Sequence, residues 1–320
     1  MILNKPSSAI IFPGQGSQYV GMGVALADKY EAAKEVFDEV DEALGQDLFK
    51  IIKEGPESEL RLTSNAQPAL MAVSLAVVRV VENISNQNIE SMVSFLAGHS
   101  LGEYSALTAA GSFSLADAAK LLRLRGESMQ NAVPVGTGGM AALLGAEFDV
   151  AKEIAVLASE KGVCDIANDN APGQIVLSGD LKTVEQSIEI AKAKGIRRAV
   201  LLPVSAPFHC SLMKPAAEKM LDALNNIKIL PPKVPVVANV NATKIAGGPD
   251  DIRGSLVQQV TSMVRWRESI EWMIENGITS FVELGAGKVL TGLNKRIDKD
   301  VQSISVESPD AIEEVLKELR

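Results

Sequence analysis

The pentapeptide GHSLG at residues 98–102 is the feature that most constrains how this chain can fold. It follows a short apolar segment at residues 93–97 and precedes a helical pattern at residues 104–109. A serine between small residues at such a junction fits a nucleophile elbow, a tight strand-to-helix turn that exposes the hydroxyl at the helix N-terminus. The alternative is a glycine-serine turn without a catalytic role, because a pattern as short as G-x-S-x-G also occurs by chance.

The composition around this turn predicts an α/β protein. Only 4% of the residues are aromatic, and Ala, Val, Leu and Ile abound, which suits helices packed on a mostly parallel sheet. A chain of 320 residues, 47% of them hydrophobic, has ample core for one large domain or two moderate ones. We therefore expect an α/β-hydrolase-like domain with a parallel sheet.

The order of elements changes after the run GTGG, residues 136–139, which predicts a flexible linker. The periodicity that follows predicts strand, helix, strand, strand, helix and strand, at residues 140–144, 150–160, 164–168, 174–178, 181–193 and 197–203. This βαββαβ order is ferredoxin-like, and APGQ supplies a hairpin turn between the middle strands. We predict a small inserted domain at residues 136–205 within a discontinuous catalytic domain, residues 1–135 and 206–320.

Bulk properties exclude several classes of protein. The net charge of −9 gives no general attraction to nucleic acid or to an anionic membrane surface, and two cysteines are too few for a disulfide framework or a zinc site. The N-terminus lacks the apolar core of a signal peptide, and the apolar stretch at residues 69–81 is too short to span a bilayer. We expect a cytoplasmic monomer in which this stretch belongs to a core helix at residues 66–81.

A serine hydroxyl needs a base whose pKa lies near 7, which normally means histidine, and this chain has only two. His99 adjoins the serine, and neighbouring side chains in an elbow point apart, so a structural or pocket-lining role fits it better. His209 lies in the loop VSAPFHCSLM, which could reach back over the elbow. Ser100 and His209 are therefore the candidate nucleophile and base.

A second glycine-rich turn, GQGSQ at residues 14–18, follows the first predicted strand. Loops of a parallel sheet gather at the carboxyl ends of its strands, so this turn could offer backbone N–H groups to an oxyanion. A phosphate-binding role is weaker, because Tyr19 replaces the third glycine of G-x-G-x-x-G, and GAGK at residues 285–288 lacks the other residues of a Walker A loop.

Several motifs together resemble a known family. They are GQGSQ, GHSLGEYSAL, RLRGESMQ, APGQIVLSG, PVSAPFHCSLM, LVQQVTSMVRW and GKVLTGLNKR, and they run in order from about residue 10 to residue 296. In this order they resemble the malonyl-CoA:acyl-carrier-protein transacylases of bacterial fatty-acid synthesis. The resemblance implies transfer of a malonyl group from malonyl-CoA to the phosphopantetheine thiol of acyl carrier protein, with no metal or redox cofactor.

The resemblance also assigns roles to single residues. It implies that Ser100 carries the malonyl ester, that His209 is the base, and that the backbone amides of Gln15 and Leu101 form the oxyanion hole. It further implies that Gln15 and His99 contribute to substrate binding.

Three further positions take their roles from the family. Arg125 resembles the arginine that binds the malonyl carboxylate, whereas Arg123, two helical residues earlier, faces a direction about 200° away. Gln259 resembles the residue whose main-chain carbonyl receives the imidazole N–H. Phe208 resembles the form that prefers malonyl groups, where some bacterial members carry serine.

Acyl carrier proteins are acidic, so the partner implied by the family needs a basic docking patch. The candidate patch is the cluster Lys192, Lys194, Arg197 and Arg198 in the inserted segment, and a solvated charged face is the alternative for each of its residues. Two other functions stay open. The same elbow and histidine could serve a serine hydrolase, such as a thioesterase or esterase, and the chain could be a scaffold that has lost activity.

Overall fold

The computed structural model describes Leu3 and residues 6–317. The strands are β1 (Ser8–Phe12), β2 (Phe95–Gly98), β3 (Gly138–Leu144), β4 (Cys164–Ala171), β5 (Gln174–Asp180), β6 (Arg198–Leu201), β7 (Val236–Val237), β8 (Ser280–Leu284) and β9 (Gln302–Val306). The helices are α1 (Val24–Lys29), α2 (Glu31–Leu44), α3 (Leu48–Glu54), α4 (Glu57–Arg61), α5 (Thr63–Ser85), α6 (Ile89–Met92), α7 (Gly102–Ala109), α8 (Leu115–Gln130), α9 (Phe148–Ala158), α10 (Leu181–Ala193), α11 (Lys214–Asn225), α12 (Pro249–Thr261), α13 (Trp266–Glu275), α14 (Val289–Ile297) and α15 (Pro309–Lys317).

The larger sheet is parallel, with the strand order β7-β2-β1-β8-β9. All five residues of β1 are buried, as expected where helices cover both faces of a parallel sheet. Phe12, the last residue of β1, pairs with Gly98, the last residue of β2. This register brings the turn GQGSQ beside the turn GHSLG, and the predicted α/β class with a parallel sheet is confirmed.

The smaller sheet is antiparallel, with the order β4-β5-β3-β6. It has the predicted βαββαβ order, and α9 and α10 share a separate hydrophobic cluster with its strands. The predicted linker at residues 136–139 is wrong in its second half. Gly138 and Gly139 pair with Asp180 and Gly179 as the first residues of β3, because hydrogen bonding across the sheet outweighs the flexibility of glycine. The division into domains at residues 136 and 205 stays a prediction.

Helix α5 runs through the core for 23 residues. The whole helix is long and apolar enough to match a membrane span by length and composition, although the apolar stretch at residues 69–81 is only a part of it. The helix begins earlier than expected because its polar first residues are buried with partners: the side-chain amides of Asn65 and Gln67 bond to Glu59 O and to Arg125. Of its most apolar window, 72% is buried inside the fold, in agreement with the predicted core helix.

Four short helices, α1, α3, α4 and α6, did not emerge from the sequence patterns. Helices of four to seven residues contain only one or two turns, so a period of 3.6 residues has no room to repeat.

Gly126 sets the distance between α8 and the start of α5. A Cβ at this position would lie 2.5 Å from Thr63 O and 2.7 Å from Ser64 Cα, both of them backbone atoms that cannot swing aside. The preceding residue, Arg125, is therefore carried close to α5.

We expect Gly126→Ala to lower the free energy of unfolding by about 1–3 kcal/mol, the usual cost of overpacking. Gly254→Ala is the matched control, because Gly254 is an exposed residue of α12 with open space around its Cβ position. That substitution should raise the free energy of unfolding by about 0.5–1 kcal/mol. Urea unfolding of both variants measures the two values, and equal effects would contradict the packing argument.

Candidate active site

The turn at residues 98–102 has the geometry of a nucleophile elbow. Strand β2 ends at Gly98, helix α7 begins at Gly102, and Ser100 between them has φ +54°, in the left-handed region. A Cβ on Gly98 would lie 1.9 Å from the carbonyl of Gly102, and a Cβ on Gly102 would lie 2.4 Å from Phe12 O. Both glycines are therefore required by sterics, which removes the chance-turn alternative.

Ser100 and His209 lie within hydrogen-bond distance although 109 positions separate them in the chain. The distance from Ser100 Oγ to His209 Nε2 is 2.7 Å. On the other side of the ring, Nδ1 lies 2.9 Å from the main-chain carbonyl of Gln259. A carbonyl can only accept, so Nδ1 carries the ring proton and Nε2 is free to take the proton of the serine.

The environment keeps His209 neutral. Burial lowers the pKa of this imidazole to about 3, and the nearby positive charge of Arg125 contributes to the shift. At neutral pH the ring is therefore in the form that a general base requires.

Arg125 is fully buried next to this pair. Its Nη1 donates to Gln67 Oε1 at 2.8 Å, and its Nη2 donates to Gln259 Oε1 at 2.9 Å and to Ser100 Oγ at 3.2 Å. Arg123 points elsewhere, as the helical geometry predicts, and donates to Asn65 Oδ1 at 2.8 Å. Arg125 therefore places a cation at the nucleophile, where it could bind an anionic group of a substrate.

Gln259 does more than the resemblance implied. Its main-chain carbonyl accepts from His209, while its side-chain Nε2 donates to Ser100 O at 3.0 Å and to Glu103 Oε2 at 2.7 Å. Glutamine is mostly an exposed residue in proteins, yet Gln259 is completely buried.

Sequence reasoning missed two residues beneath the elbow. Asn239 accepts from Ser100 N at 2.7 Å and donates to Gly98 O at 2.7 Å, so one side-chain amide bridges the turn. Glu103 accepts from Asn239 N at 3.0 Å. Their positions in the sequence could have pointed to the site, because Asn239 directly follows an apolar strand pattern and Glu103 directly follows the pentapeptide.

Ser100, Arg125 and His209 face a cavity of about 490 Å³. Besides Ser100, Arg125 and His209, the lining includes Gln15, His99 and Phe208, and the small sheet supplies an apolar wall that includes Met140 and Val176. His99 Nε2 lies 2.8 Å from Asn170 Oδ1, away from the serine, as expected for a pocket-lining residue, and burial lowers the pKa of its ring.

Two backbone amides were expected to form the oxyanion hole, and four basic side chains were expected to form a docking patch. Within the described part of the chain, the backbone amides of Gln15 and Leu101 donate to no other protein group, so both are available to an oxyanion. In the expected docking patch, Lys192 and Lys194 form ion pairs with Glu189 and Glu153, at 2.7 and 2.6 Å. Arg197 and Arg198 are exposed and form no ion pair with the described residues.

No group of three or more His, Cys, Asp or Glu side chains that could hold a metal ion occurs between residues 6 and 317 or at Leu3.

We expect the His209 ring to stay neutral from about pH 5 to about pH 8, because its pKa is lowered to about 3. The measurement is a titration of the histidine C–H resonances by NMR, in which a His99→Gln variant assigns the two rings. In urea the same signals should titrate near pH 6.5, the ordinary value. A folded His209 that titrates near neutrality would contradict the account of burial.

Comparison with known proteins agrees with this geometry. The acyl transferase domain family matches residues 9–308. The chain is 47% identical over 313 residues to the malonyl CoA-acyl carrier protein transacylase of Bacillus subtilis, covering 98% of this chain and 97% of that protein. The crystal structure of acyl-carrier-protein-S-malonyltransferase from Bartonella henselae superposes with a TM-score of 0.95 at 54% identity, covering 98% and 99% of the two chains. A malonyl-transacylase in complex with a type II PKS acyl-carrier protein superposes with a TM-score of 0.94 at 40% identity, covering 98% and 99%. This chain belongs to the acyl transferase domain family, and its recognition from sequence motifs as a member of the malonyl-CoA:acyl-carrier-protein transacylases is confirmed.

Proposed function

We propose that this chain transfers the malonyl group of malonyl-CoA to the phosphopantetheine thiol of acyl carrier protein, through a malonyl ester on Ser100. The observation that carries the proposal is the 2.7 Å contact between Ser100 Oγ and His209 Nε2 beside the buried guanidinium of Arg125. A nucleophile, a neutral base and a cation for a carboxylate thus share one cavity. The transfer would supply extender units for fatty-acid synthesis.

In the first half-reaction, Ser100 Oγ attacks the thioester carbonyl while His209 Nε2 accepts the hydroxyl proton. The carbonyl oxygen becomes an oxyanion, and the amides of Gln15 and Leu101 donate to it. Each such donor lowers the barrier by about 3 kcal/mol on the usual scale of oxyanion holes. The intermediate then collapses, the C–S bond breaks, and the proton passes from His209 to the departing thiolate of CoA.

The second half-reaction reverses these roles with a different thiol. His209 takes the proton of the phosphopantetheine thiol, and the sulfur attacks the malonyl ester of Ser100. The C–O bond breaks, the proton returns to Ser100, and the malonyl thioester leaves on the carrier protein. Each half-reaction exchanges one bond and one proton and requires neither a metal nor a redox cofactor.

The shape and charge of the cavity support selection of malonyl groups. The planar guanidinium of Arg125 can donate two parallel hydrogen bonds to a carboxylate. Phe208 lies beside His209 and limits the volume for a branched acyl group.

We assign acyl carrier protein as the partner and the cytoplasm as the compartment, with a monomer as the working unit. Arg198 is the first residue of the edge strand β6 of the small sheet, and Arg197 directly precedes it. Lys192 and Lys194 already form ion pairs with glutamates, so the two arginines are the stronger half of the docking patch. An acidic carrier protein would meet two free positive charges there.

Ser100→Ala should abolish the covalent malonyl-enzyme, because it removes the hydroxyl that His209 Nε2 contacts. Intact-mass measurement after mixing with malonyl-CoA tests this, and addition of carrier protein then separates transfer from release to water. Ser105→Ala is the matched control, since Ser105 lies on α7, the helix that follows the elbow, and its buried hydroxyl has no hydrogen-bond partner among the described residues. A stable adduct on the Ser100 variant, or adduct on the wild type that only hydrolyses, would overturn the proposal.

Arg125→Ala should lower kcat/KM for malonyl-CoA about 100-fold, because hydrogen bonds to a charged group contribute about 1.5–3 kcal/mol. The ratio of acetyl to malonyl transfer should rise, because an acetyl group has no carboxylate and therefore loses no hydrogen bond when Arg125 is removed. Arg123→Ala, two residues away and bonded to Asn65, is the control and should keep the selectivity of the wild type. Unchanged malonyl kinetics in the Arg125 variant would contradict its role.

A further inference from the structure

Glu103 is a completely buried carboxylate that lies beneath the site. It is the second residue of α7, directly after the elbow, and it is not among the residues that line the cavity. A buried carboxylate is costly unless it is paired and hydrogen-bonded, so its retention next to the nucleophile calls for a physical reason.

The hydrogen bonds of Glu103 lead to both supports of the site. Its Oε2 accepts from Asn239 N at 3.0 Å and from Gln259 Nε2 at 2.7 Å. Asn239 in turn holds the backbone of the elbow, and Gln259 contacts Ser100, His209 and Arg125. Glu103 therefore forms direct hydrogen bonds with the two residues, Asn239 and Gln259, that hold the nucleophile and the base in place.

Glu103 helps to fix which way the Gln259 amide faces, together with Ser100 O, which also accepts from Nε2, and Arg125, which can only donate. The two ends of an amide are nearly identical in shape, so only the neighbours fix its orientation. An ionised carboxylate can only accept, which draws Nε2 to Glu103 and leaves Oε1 facing Arg125 Nη2 at 2.9 Å. In the reverse orientation, two donors would face each other at Arg125.

The charge of Glu103 also balances that of Arg125. Glu103 Oε1 and Arg125 Nε are both buried and have no hydrogen-bond partner among the described residues. The charged and titratable groups that act on this carboxylate within the described chain are Arg125 from α8 and the Tyr104 phenol on its own helix, while Asn239 and Gln259 are neutral. The Arg125 charge lowers the pKa of His209, so an anion that offsets this charge makes His209 a stronger base.

We propose that Glu103 is a positioning residue for acyl transfer: it fixes Gln259 and Asn239 beneath the elbow, and its charge balances Arg125 until an acyl carboxylate arrives. The inference rests on the proposed function and adds a residue that does not touch the substrate.

The test is the rate of Ser100 acylation by saturating malonyl-CoA, followed by rapid quench and intact-mass measurement from about pH 6 to about pH 8. Burial raises the pKa of Glu103 to about 7, so its ionised fraction falls as the pH drops through 7. The wild-type acylation rate should fall together with this ionised fraction. His209 cannot cause such a fall, because its pKa, lowered to about 3, lies below this pH range.

Glu103→Gln keeps the shape and one acceptor oxygen but has no charge at any pH. We expect its saturating rate at about pH 8 to be about tenfold lower than that of the wild type, and to be flat across the range. KM for malonyl-CoA should not rise in this variant, because the charge of Glu103 repels the malonyl carboxylate and the substitution removes that repulsion. A purely structural role would instead lower the melting temperature and leave the shape of the pH profile unchanged.

Asp41→Asn is the matched control. Burial raises the pKa of Asp41 to about 6, and this carboxylate accepts from Leu48 N and Phe49 N, outside the cavity. Its variant should keep the acylation profile of the wild type.

The outcomes separate the two proposals. A wild type that forms no malonyl adduct overturns the proposed function. A wild type that forms the adduct with a rate independent of pH in this range overturns the role of Glu103, even if Glu103→Gln does not fold. A Glu103→Gln variant with the wild-type rate and profile overturns it as well.

Discussion

The left-handed backbone at Ser100 is the constraint on which the rest of the site depends. It exists because no side chain occupies positions 98 and 102, where an added Cβ would meet backbone atoms at 1.9 and 2.4 Å. Backbone strain of this kind costs of order 1–3 kcal/mol and persists only where the surroundings over-determine it. The bonds of the Asn239 amide to Ser100 N and Gly98 O supply that support from below.

The buried polar groups around the elbow form a connected network. Gln259 is its centre, since one residue orients the base through its carbonyl and joins the arginine to the glutamate through its amide. In a low-dielectric interior such networks hold their members firmly when each polar group is satisfied. A carbonyl acts here where an ordinary triad has a carboxylate. His209 stays neutral because burial lowers its pKa, and the charge of Arg125 lowers it further.

The small sheet completes the cavity and is joined to the large one by consecutive residues of β4. Asp169 N donates to Val264 O, its buried carboxylate forms a salt bridge with Arg267 at 2.7 Å, and Asn170 contacts His99. The apolar side chains that β3 and β5 turn toward Ser100 are therefore held at a fixed distance from it. Under the proposed function, acyl selectivity would depend on contacts between the sheets as well as on Phe208 and Arg125.

The sequence by itself determined the longer elements and the candidate catalytic residues. The bounds of α10 agree with the predicted residues 181–193, because this helix is long enough to show its own period. Ser100 and His209 followed from local pattern and from the scarcity of histidine, and the choice of Arg125 over Arg123 needed the family motif. Tertiary structure alone decided the rest: that α5 extends to 23 residues, that Gln259 is buried, and that Glu103 and Asn239 support the elbow. The physical reason is that a polar side chain is buried only when a partner distant in the chain satisfies it, and no local pattern records where that partner lies.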